Sequence, residues 1–333
     1  MAENKKQVVL SGIRATGRLH LGNFLGALRN FARYSNDQQY SCFFFVADWH
    51  TITTLTDTAQ IKQFLPEIIL DYLAAGVDHE KSTIFVQSSI PETAELFWIL
   101  SCFTQKSELE RVPTFKDKAL KHAENVNAGL FNYPVLMAAD ILGPQADLVP
   151  VGKDQEPHLE MAKELARKFN RLCGETFAVP HSMAEEMIIV PGLDGTGKMG
   201  KSEGNTINLD DTEDAVRAKI KVAVTDPARQ RRTDPGSPSK CNVYTLHTML
   251  SSDDELKYCA DGCTSASIGC AECKTILANN TIALLKPFQE RRLVLAEKKG
   301  LVFDVLHAGQ ITARQTIAKT VEIVREKIGL LRF

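Results

Sequence analysis

The stretch Thr16-Gly17-Arg18-Leu19-His20-Leu21-Gly22-Asn23 follows closely on the apolar run Val8-Val9-Leu10. It reads as a strand, a glycine turn and a helix whose first turn carries a histidine and a glycine. That layout suits a nucleoside triphosphate. A helix N-terminus offers unpaired backbone N–H groups and a partial positive charge, and glycines let phosphate or adenine approach the backbone closely. Strand-to-helix turns often contain glycine, however, and a first-turn histidine is commonly just solvated. The pattern needs a second element.

Lys198-Met199-Gly200-Lys201-Ser202 supplies it, after the strand-like Met187-Ile188-Ile189-Val190. Two lysines three apart on a glycine-containing loop suit a phosphate charge that grows and then leaves. The same region, Gly195-Thr196-Gly197-Lys198-Met199-Gly200-Lys201-Ser202, also fits the P-loop pattern G-x-x-x-x-G-K-[ST] letter for letter. A P-loop must run at once into a helix, whose N-terminus completes the phosphate cradle. Here the chain continues Glu203-Gly204-Asn205-Thr206-Ile207-Asn208, which is poor helix material.

Composition narrows the class. Of 333 residues, 44% are hydrophobic and 24% charged, as in an ordinary globular protein with ample length for a core. A net charge of −2 gives no global nucleic-acid signal, so any RNA contact must come from local basic patches. No stretch approaches the roughly 20 apolar residues of a membrane span. Met1–Lys6 is followed by a strand too short for a signal-peptide core, so the expected compartment is the cytoplasm.

Up to residue 205 the chain alternates strand and helix. Val8–Ile13, Ser41–Ala47, Thr83–Gln87, Asp147–Val151 and Met187–Val190 read as short strands. Helical patterns cover His20–Tyr34, Ala59–Ala75, Ala94–Phe103, Tyr133–Leu142 and Pro157–Phe169. Such alternation predicts a parallel sheet covered on both faces, with ligands beyond the carboxyl ends of its strands. Past Ser202 only helical patterns remain, over Thr212–Val224, Lys274–Ala296 and Thr312–Leu331, interrupted by a Pro-, Ser- and Arg-rich segment at Asp226–Lys240. One boundary is expected near residue 205.

Taken together, the two glycine-containing elements resemble the paired signatures of class I aminoacyl-tRNA synthetases, named HIGH and KMSKS. They stand here as His20-Leu21-Gly22-Asn23 and Lys198-Met199-Gly200-Lys201-Ser202. The resemblance narrows to the bacterial-type tryptophanyl-tRNA synthetases through Leu10-Ser11-Gly12-Ile13, Gly22–Leu28, Tyr133–Asp140, Ala146–Gln155 and His158-Leu159-Glu160. It runs over nearly the whole chain. It implies an α/β fold: a Rossmann-like parallel-sheet catalytic domain over 1–205 and an all-helical, tRNA anticodon-binding domain over 206–333. Three departures stand out. Asn23 replaces the second histidine of HIGH, as is usual in this subfamily. Gly200 replaces the middle serine of KMSKS and removes a hydroxyl donor, and Arg14-Ala15-Thr16 replaces a glutamine-proline-serine nucleotide contact.

The implied reaction has two steps. The tryptophan carboxylate attacks the α-phosphate of ATP to give tryptophanyl-adenylate and pyrophosphate; the terminal ribose of tRNA(Trp) then takes the acyl group. A carboxylate is already nucleophilic at neutral pH, so the work is positioning and charge stabilisation. By the resemblance, His20 donates to α-phosphate oxygens, Gly22 leaves room for adenine, and Asn23 donates from a fixed amide. Lys198 and Lys201 follow the pyrophosphate with Mg²⁺ as charge partner, and Lys118 matches a further phosphate-loop lysine. Gly152-Lys153-Asp154 matches the turn that meets the ATP ribose, and Ile189 would use its backbone. Met199, Gly200 and Ser202 complete the nucleotide-binding loop. Asp140 is the specificity candidate. It lies three residues after Met137 on an apolar segment and therefore shares a helix face with it. A carboxylate there is costly without a donor, and the indole N–H is a donor with no acceptor role. Tyr133, Met137, Gln155 and His50 match other pocket positions. A homodimer is also implied.

Of eight cysteines, Cys42, Cys102 and Cys173 lie in apolar or helical contexts and read as inert thiols. Cys241, Cys259, Cys263, Cys270 and Cys273 crowd together, and a reduced cytoplasm argues against disulfides. Cys241, Cys263, Cys270 and Cys273 are separated by 21, 6 and 2 residues. Zinc ribbons usually show two C-x-x-C pairs, whereas only Cys270–Cys273 is such a pair here. Iron–sulfur ligation tolerates irregular spacing. The set also resembles that of a subset of bacterial tryptophanyl-tRNA synthetases carrying a [4Fe–4S] cluster, with one residue of difference in the first gap. Zinc and unmetallated thiols remain open, and Cys259 could compete for the place of Cys263. Competing functions are a tyrosyl-tRNA synthetase, a non-catalytic RNA-binding paralogue and a P-loop NTPase. The first would pair a Tyr and an Asp against a phenol, and the second would lack the signature lysines.

Overall fold

A computed structural model of the chain describes residues 6–54, 57, 59–112, 125–183 and 188–330. Its centre is a five-stranded parallel sheet of β1 (Gln7–Ile13), β2 (Tyr40–Val46), β3 (Ser82–Val86), β4 (Leu148–Val149) and β5 (His181–Ser182), in the order β3-β2-β1-β4-β5. The chain moves outward from β1 in one direction and then returns to its other side. The switch point therefore lies between β1 and β4.

Alternation along β2 explains why both faces are covered. Phe43 and Phe45 join a core with Leu10 and Phe85 of the neighbouring strands and with Leu96, Val135, Leu159 and Ile317 from helices Pro91–Cys102, Ala128–Leu142, Glu156–Cys173 and Leu301–Lys327. Phe44 points the other way and stacks on Phe31 at 4.5 Å between centroids, with Tyr72 of helix Ala59–Ala74 edge-on to Phe31. A strand buried on both sides reads as a continuous apolar run, and Cys42–Val46 does.

The strands begin or end within one to two residues of the expected positions, with one exception. The expected strand Met187–Val190 is not the fifth strand. Of that segment the structure describes 188–190, which lie outside any strand, and β5 is the two-residue His181–Ser182. Ladder pairing with β4 selects it, not its own apolar content, which is nil at His181 and Ser182. Helices Asn242–Leu250 and Asp253–Thr264 add to those expected from the sequence.

The chain divides into two compact units: residues 1–17, 31–187 and 299–333, and residues 18–30 and 188–298. This division differs from a single boundary near 205. In the first unit, helix Leu301–Lys327 returns to the edge strand β3. It approaches so closely that a Cβ on Gly309 would fall 1.8 Å from the Ile84 carbonyl oxygen. Covering an edge strand in this way removes a site for aberrant pairing. In the second unit, residues 18–30 pair with residues that follow the lysine loop. Leu21 N–H donates to Ile207 O at 2.8 Å and Leu209 N–H to Leu19 O at 3.0 Å. Phe24 meets Phe288 edge-on at 5.7 Å, and Val216, Ile220, Leu277 and Leu285 are buried in the same unit.

Candidate active site

In the second unit the two signature elements come together. The chain is helical over 21–36, with a π-helical stretch at Phe24–Leu28. Such stretches gather at functional sites. The Asn23 Oδ1 accepts from the His20 backbone N–H at 3.1 Å, which fixes the amide and leaves its NH₂ as donor. Gly22 lies beside the imidazole: a Cβ there would stand 3.0 Å from the ring and 3.5 Å from Met199 Cβ. His20 is buried, and its Nδ1 has no hydrogen-bond partner among the described residues. Burial first, and then the charge of Lys201, push its pKa down to about 4. The ring is therefore neutral at physiological pH and offers one N–H and no charge.

The loop itself is held from below. Met199 is buried, and its N–H donates to Val190 O at 2.9 Å. Gly200 N–H donates to Asn205 Oδ1 at 2.9 Å, and Asn205 Nδ2 donates to Asp194 Oδ1 at 2.9 Å. After Gly200 comes one short 3₁₀ turn, Lys201–Glu203, ended by Gly204 in the left-handed region. No helix follows, so the P-loop reading fails on the criterion that motivated it. A Cβ on Gly200 would stand 3.0 Å from the flexible Glu203 Cγ. Ile189 is exposed before the loop, and Lys118 lies outside the described residues.

In the first unit, the carboxyl end of β1 leads into Arg14-Ala15-Thr16. Ala15 N–H donates to Thr51 Oγ1 at 2.9 Å, and Arg14 Nη2 donates to Thr51 O and Thr54 Oγ1. The buried Arg14 Nε has no partner among the described residues. The turn after β4 carries Gly152, Lys153, Asp154 and Gln155, and it opens helix Glu156–Cys173. Gln155 Nε2 donates to Asp154 Oδ2 at 3.2 Å.

Helix Ala128–Leu142 presents Tyr133, Met137 and Asp140 at spacings that share a face. Asp140 is 7% exposed. Its Oδ2 lies 2.8 Å from His50 Nε2, and the His50 ring meets the Tyr133 ring edge-on at 6.2 Å. Burial pushes the Asp140 carboxyl above the usual range, while bonds from His50 and Gln87 pull it back. The expected residues Asp140, His50 and Tyr133 are thus assembled. Two further residues join them: Gln87, for which the sequence suggests no site role, and His158, which lies within a family motif but was not among the expected site residues. Gln87 donates to both Asp140 oxygens, and His158 Nε2 lies 2.5 Å from the Tyr133 hydroxyl. Gln87 ends an apolar strand run at a ligand-binding edge, the one available signal. An apolar cavity of about 350 Å³, lined by Trp49, Ile52, Phe97, Tyr133 and Leu136 among others, includes neither Asp140 nor His50.

The five clustered cysteines sit on neighbouring helix ends. Cys241 precedes helix Asn242–Leu250, Cys259 and Cys263 lie on Asp253–Thr264, and Cys270 and Cys273 open the helix Cys270–Ala296. Burial pushes the Cys259, Cys263 and Cys273 thiols up; for Cys263 the Arg229 guanidinium, 3.5 Å from its Sγ, opposes this. The charges of Cys241 and Cys270 reach Cys263, and Cys273 feels Cys259 first and then Cys241 and Cys263, so all five thiols, Cys259 included, influence one another. Among the described residues, the donor atoms within 4.8 Å of one another are those of His247, Cys259 and Cys273, which share one residue with the expected set. Arg229 is half-buried and also donates to Arg232 O and Ile268 O. Arg231, Arg232 and Lys240 are exposed.

Comparisons with known proteins show the family of the chain. The family of class I tRNA synthetases for W and Y matches residues 2–286, so the chain belongs to the class I aminoacyl-tRNA synthetases. It is 43% identical to the tryptophan–tRNA ligase of Thermotoga maritima, over 97% of this chain and 99% of that one. The identity to the corresponding ligase of Deinococcus radiodurans is 42%, with the same coverage. A solved tryptophanyl-tRNA synthetase from Campylobacter jejuni, complexed with ADP and tryptophan, matches with a TM-score of 0.84 and 34% identity, covering 97% of this chain and all of that one. Within its class, the chain is a member of the bacterial-type tryptophanyl-tRNA synthetases.

Proposed function

We propose that the chain activates L-tryptophan with ATP, releases pyrophosphate, and transfers the tryptophanyl group to the terminal ribose of tRNA(Trp). The observation that carries this reading is the buried Asp140 carboxylate, held by His50 and Gln87 on a helix face shared with Tyr133 and Met137. A carboxylate in an apolar setting fits a substrate group that only donates, and the indole N–H is such a group. The tryptophan and ADP bound by the Campylobacter relative support it. Amino-acid-dependent pyrophosphate exchange across the twenty amino acids tests it; activity with tryptophan alone is expected.

Each residue then has a role. His20 donates an uncharged N–H to α-phosphate oxygen, Asn23 adds an amide donor, and Gly22 keeps the space beside the ring open to adenine. Lys198 and Lys201, with the backbone of Met199, Gly200 and Ser202, follow the pyrophosphate; by the resemblance, Lys118 would be a further phosphate-binding lysine. Mg²⁺ arrives with ATP and shares its phosphate charge. Gly152, Lys153 and Asp154 meet the ribose, Ile189 offers backbone to adenine, and Arg14-Ala15-Thr16 line the nucleotide. The orphaned buried Arg14 Nε in the first unit and His20 Nδ1 in the second each suit a polar group. Gln155 and His50 orient the amino acid.

For the cysteines, Cys241, Cys263, Cys270 and Cys273 would hold a [4Fe–4S] cluster that staples a region without a sheet. The nearby cations Arg229 and Lys274 suit a negatively charged thiolate group. A second reading, zinc on His247, Cys259 and Cys273, rests on their mutual proximity. The helical segment 206–333 would read the anticodon, with exposed Arg231, Arg232 and Lys240 on tRNA phosphates. We place the enzyme in the cytoplasm as a homodimer. No described helix is long and apolar enough to cross a membrane, and light scattering at twice 36.9 kDa would establish the dimer.

A further inference from the structure

Gln87 follows β3 directly, in the short turn Gln87–Ser89, and is 1% exposed. Its amide is held at both ends. Oε1 accepts from the backbone N–H groups of Trp49 at 3.1 Å and His50 at 3.3 Å. Nε2 donates to both oxygens of Asp140, at 2.8 and 2.9 Å. A reversed amide would face two N–H donors with its own NH₂ and a carboxylate with its carbonyl oxygen. The backbone of helix Asp48–Ile52 therefore dictates which end of Gln87 meets Asp140.

Asp140 has one further donor, His50 Nε2, on Oδ2. The carboxylate is thus anchored from Gln87 and His50, with acceptor capacity left on Oδ1. His50 is tied to the same device, since its own backbone N–H donates to Gln87. We infer that Gln87 is a specificity-determining positioning residue, which fixes Asp140 as an oriented acceptor so that an amino acid bearing a ring N–H is selected. The inference rests on the reading of Asp140 as the indole acceptor. Without Gln87, Asp140 would keep its place on the helix and its bond from His50 but lose the donor that bridges both of its oxygens. Discrimination, more than activity as such, would suffer.

The test compares tryptophan with 3-(3-benzothienyl)alanine, in which sulfur replaces the indole N–H, in pyrophosphate exchange by wild type, Gln87→Met and Gln87→Leu. Wild type should prefer tryptophan by at least about tenfold in kcat/KM, because the analogue leaves a buried acceptor unpaired. Each variant should lose about tenfold for tryptophan, mainly through KM, and less than about threefold for the analogue, the scale of one lost bond to a charged group. The ratio of two substrates on one preparation is independent of the folded fraction, so partial misfolding leaves it readable. Equal losses for both substrates would make Gln87 merely structural and overturn the inference. No wild-type preference would instead overturn the role of Asp140.

Discussion

His20 and Lys201 lie in one compact unit although 181 positions separate them, and the lysine's charge adds to burial in holding the imidazole neutral. The pairing is produced by backbone: Leu21 bonds Ile207, Leu209 bonds Leu19, and the lysine loop precedes that ladder. A neutral ring is a hydrogen-bond donor that makes no strong ion pair with phosphate. In the proposed reaction the growing charge would fall to the lysines.

This pairing has a pH signature. The folded-state pKa of His20 is depressed from 6.5 to about 4, so its protons bind more readily to the unfolded chain. Its contribution to stability is fully present above pH 6.5 and is lost as the pH falls toward 4. Between pH 8 and pH 5 the loss attributable to His20 should be at most about 2 kcal/mol. Urea unfolding of wild type and His20→Gln at both pH values measures it. The variant should lose less stability on acidification, and equal losses in both proteins would show that the ring titrates normally.

Lys198→Ala and Lys201→Ala should lower the rate of adenylate formation by about a hundredfold each, the scale of one removed transition-state donor. Tryptophan affinity should hardly change, because the proposed role sets the lysines on phosphate and not on indole. Losing a contact made only in the transition state lowers kcat and kcat/KM together. Single-turnover kinetics with a separate tryptophan-binding titration will separate the two. A weakened affinity with normal turnover would mean the loop has another role.

Asp140→Ala should abolish selectivity. In wild type, tyrosine and phenylalanine should support exchange at least about a hundredfold less well than tryptophan, since neither satisfies the buried acceptor. In the variant the advantage should collapse along with most of the activity. Wild-type exchange supported equally by tyrosine would refute the assignment of the pocket.

The fold makes its own prediction at Gly309. On helix propensity alone, Gly309→Ala should stabilise by up to about 1 kcal/mol. The Ile84 carbonyl oxygen at 1.8 Å from the new Cβ outweighs this, because backbone on both sides has no rotamer to give. A loss of about 3 kcal/mol or more is expected, seen as a fall in Tm of about 4 °C or more. An unchanged or raised Tm would show that helix Leu301–Lys327 does not sit so tightly on β3.

Most of this arrangement was legible because it is local. Strand β2 announces itself as Cys42–Val46, and Asp140 and Met137 are aligned by helical spacing alone. What was illegible depends on partners distant in sequence. His181–Ser182 has no strand signal of its own and pairs only because β4 is beside it. The boundary expected near 205 differs from the observed units because residues 19–21 bond residues 207–209, a fact no composition shift records. Gln87 carries no motif. Helix Asp253–Thr264 is a different case: Ser252 and Glu255 form a capping box, a local signal that was available and passed over.

The cysteines separate two metal chemistries by which thiol matters. Protein purified without oxygen should carry about four irons and four sulfides per chain if Cys241, Cys263, Cys270 and Cys273 are the ligands. Cys263→Ser should then lose iron, while Cys259→Ser should retain it. The alternative on His247, Cys259 and Cys273 reverses the pattern, since Cys259 is a ligand there and Cys263 is not. Cys263 has the Arg229 guanidinium 3.5 Å from its sulfur, which opposes part of the upward push that burial gives its thiol. Removing the cluster should impair aminoacylation and spare adenylate formation, because tRNA contact and not phosphate chemistry is assigned to this segment. Stoichiometric zinc without iron, lost in Cys259→Ser and kept in Cys263→Ser, would replace the iron–sulfur assignment with the His–Cys–Cys site.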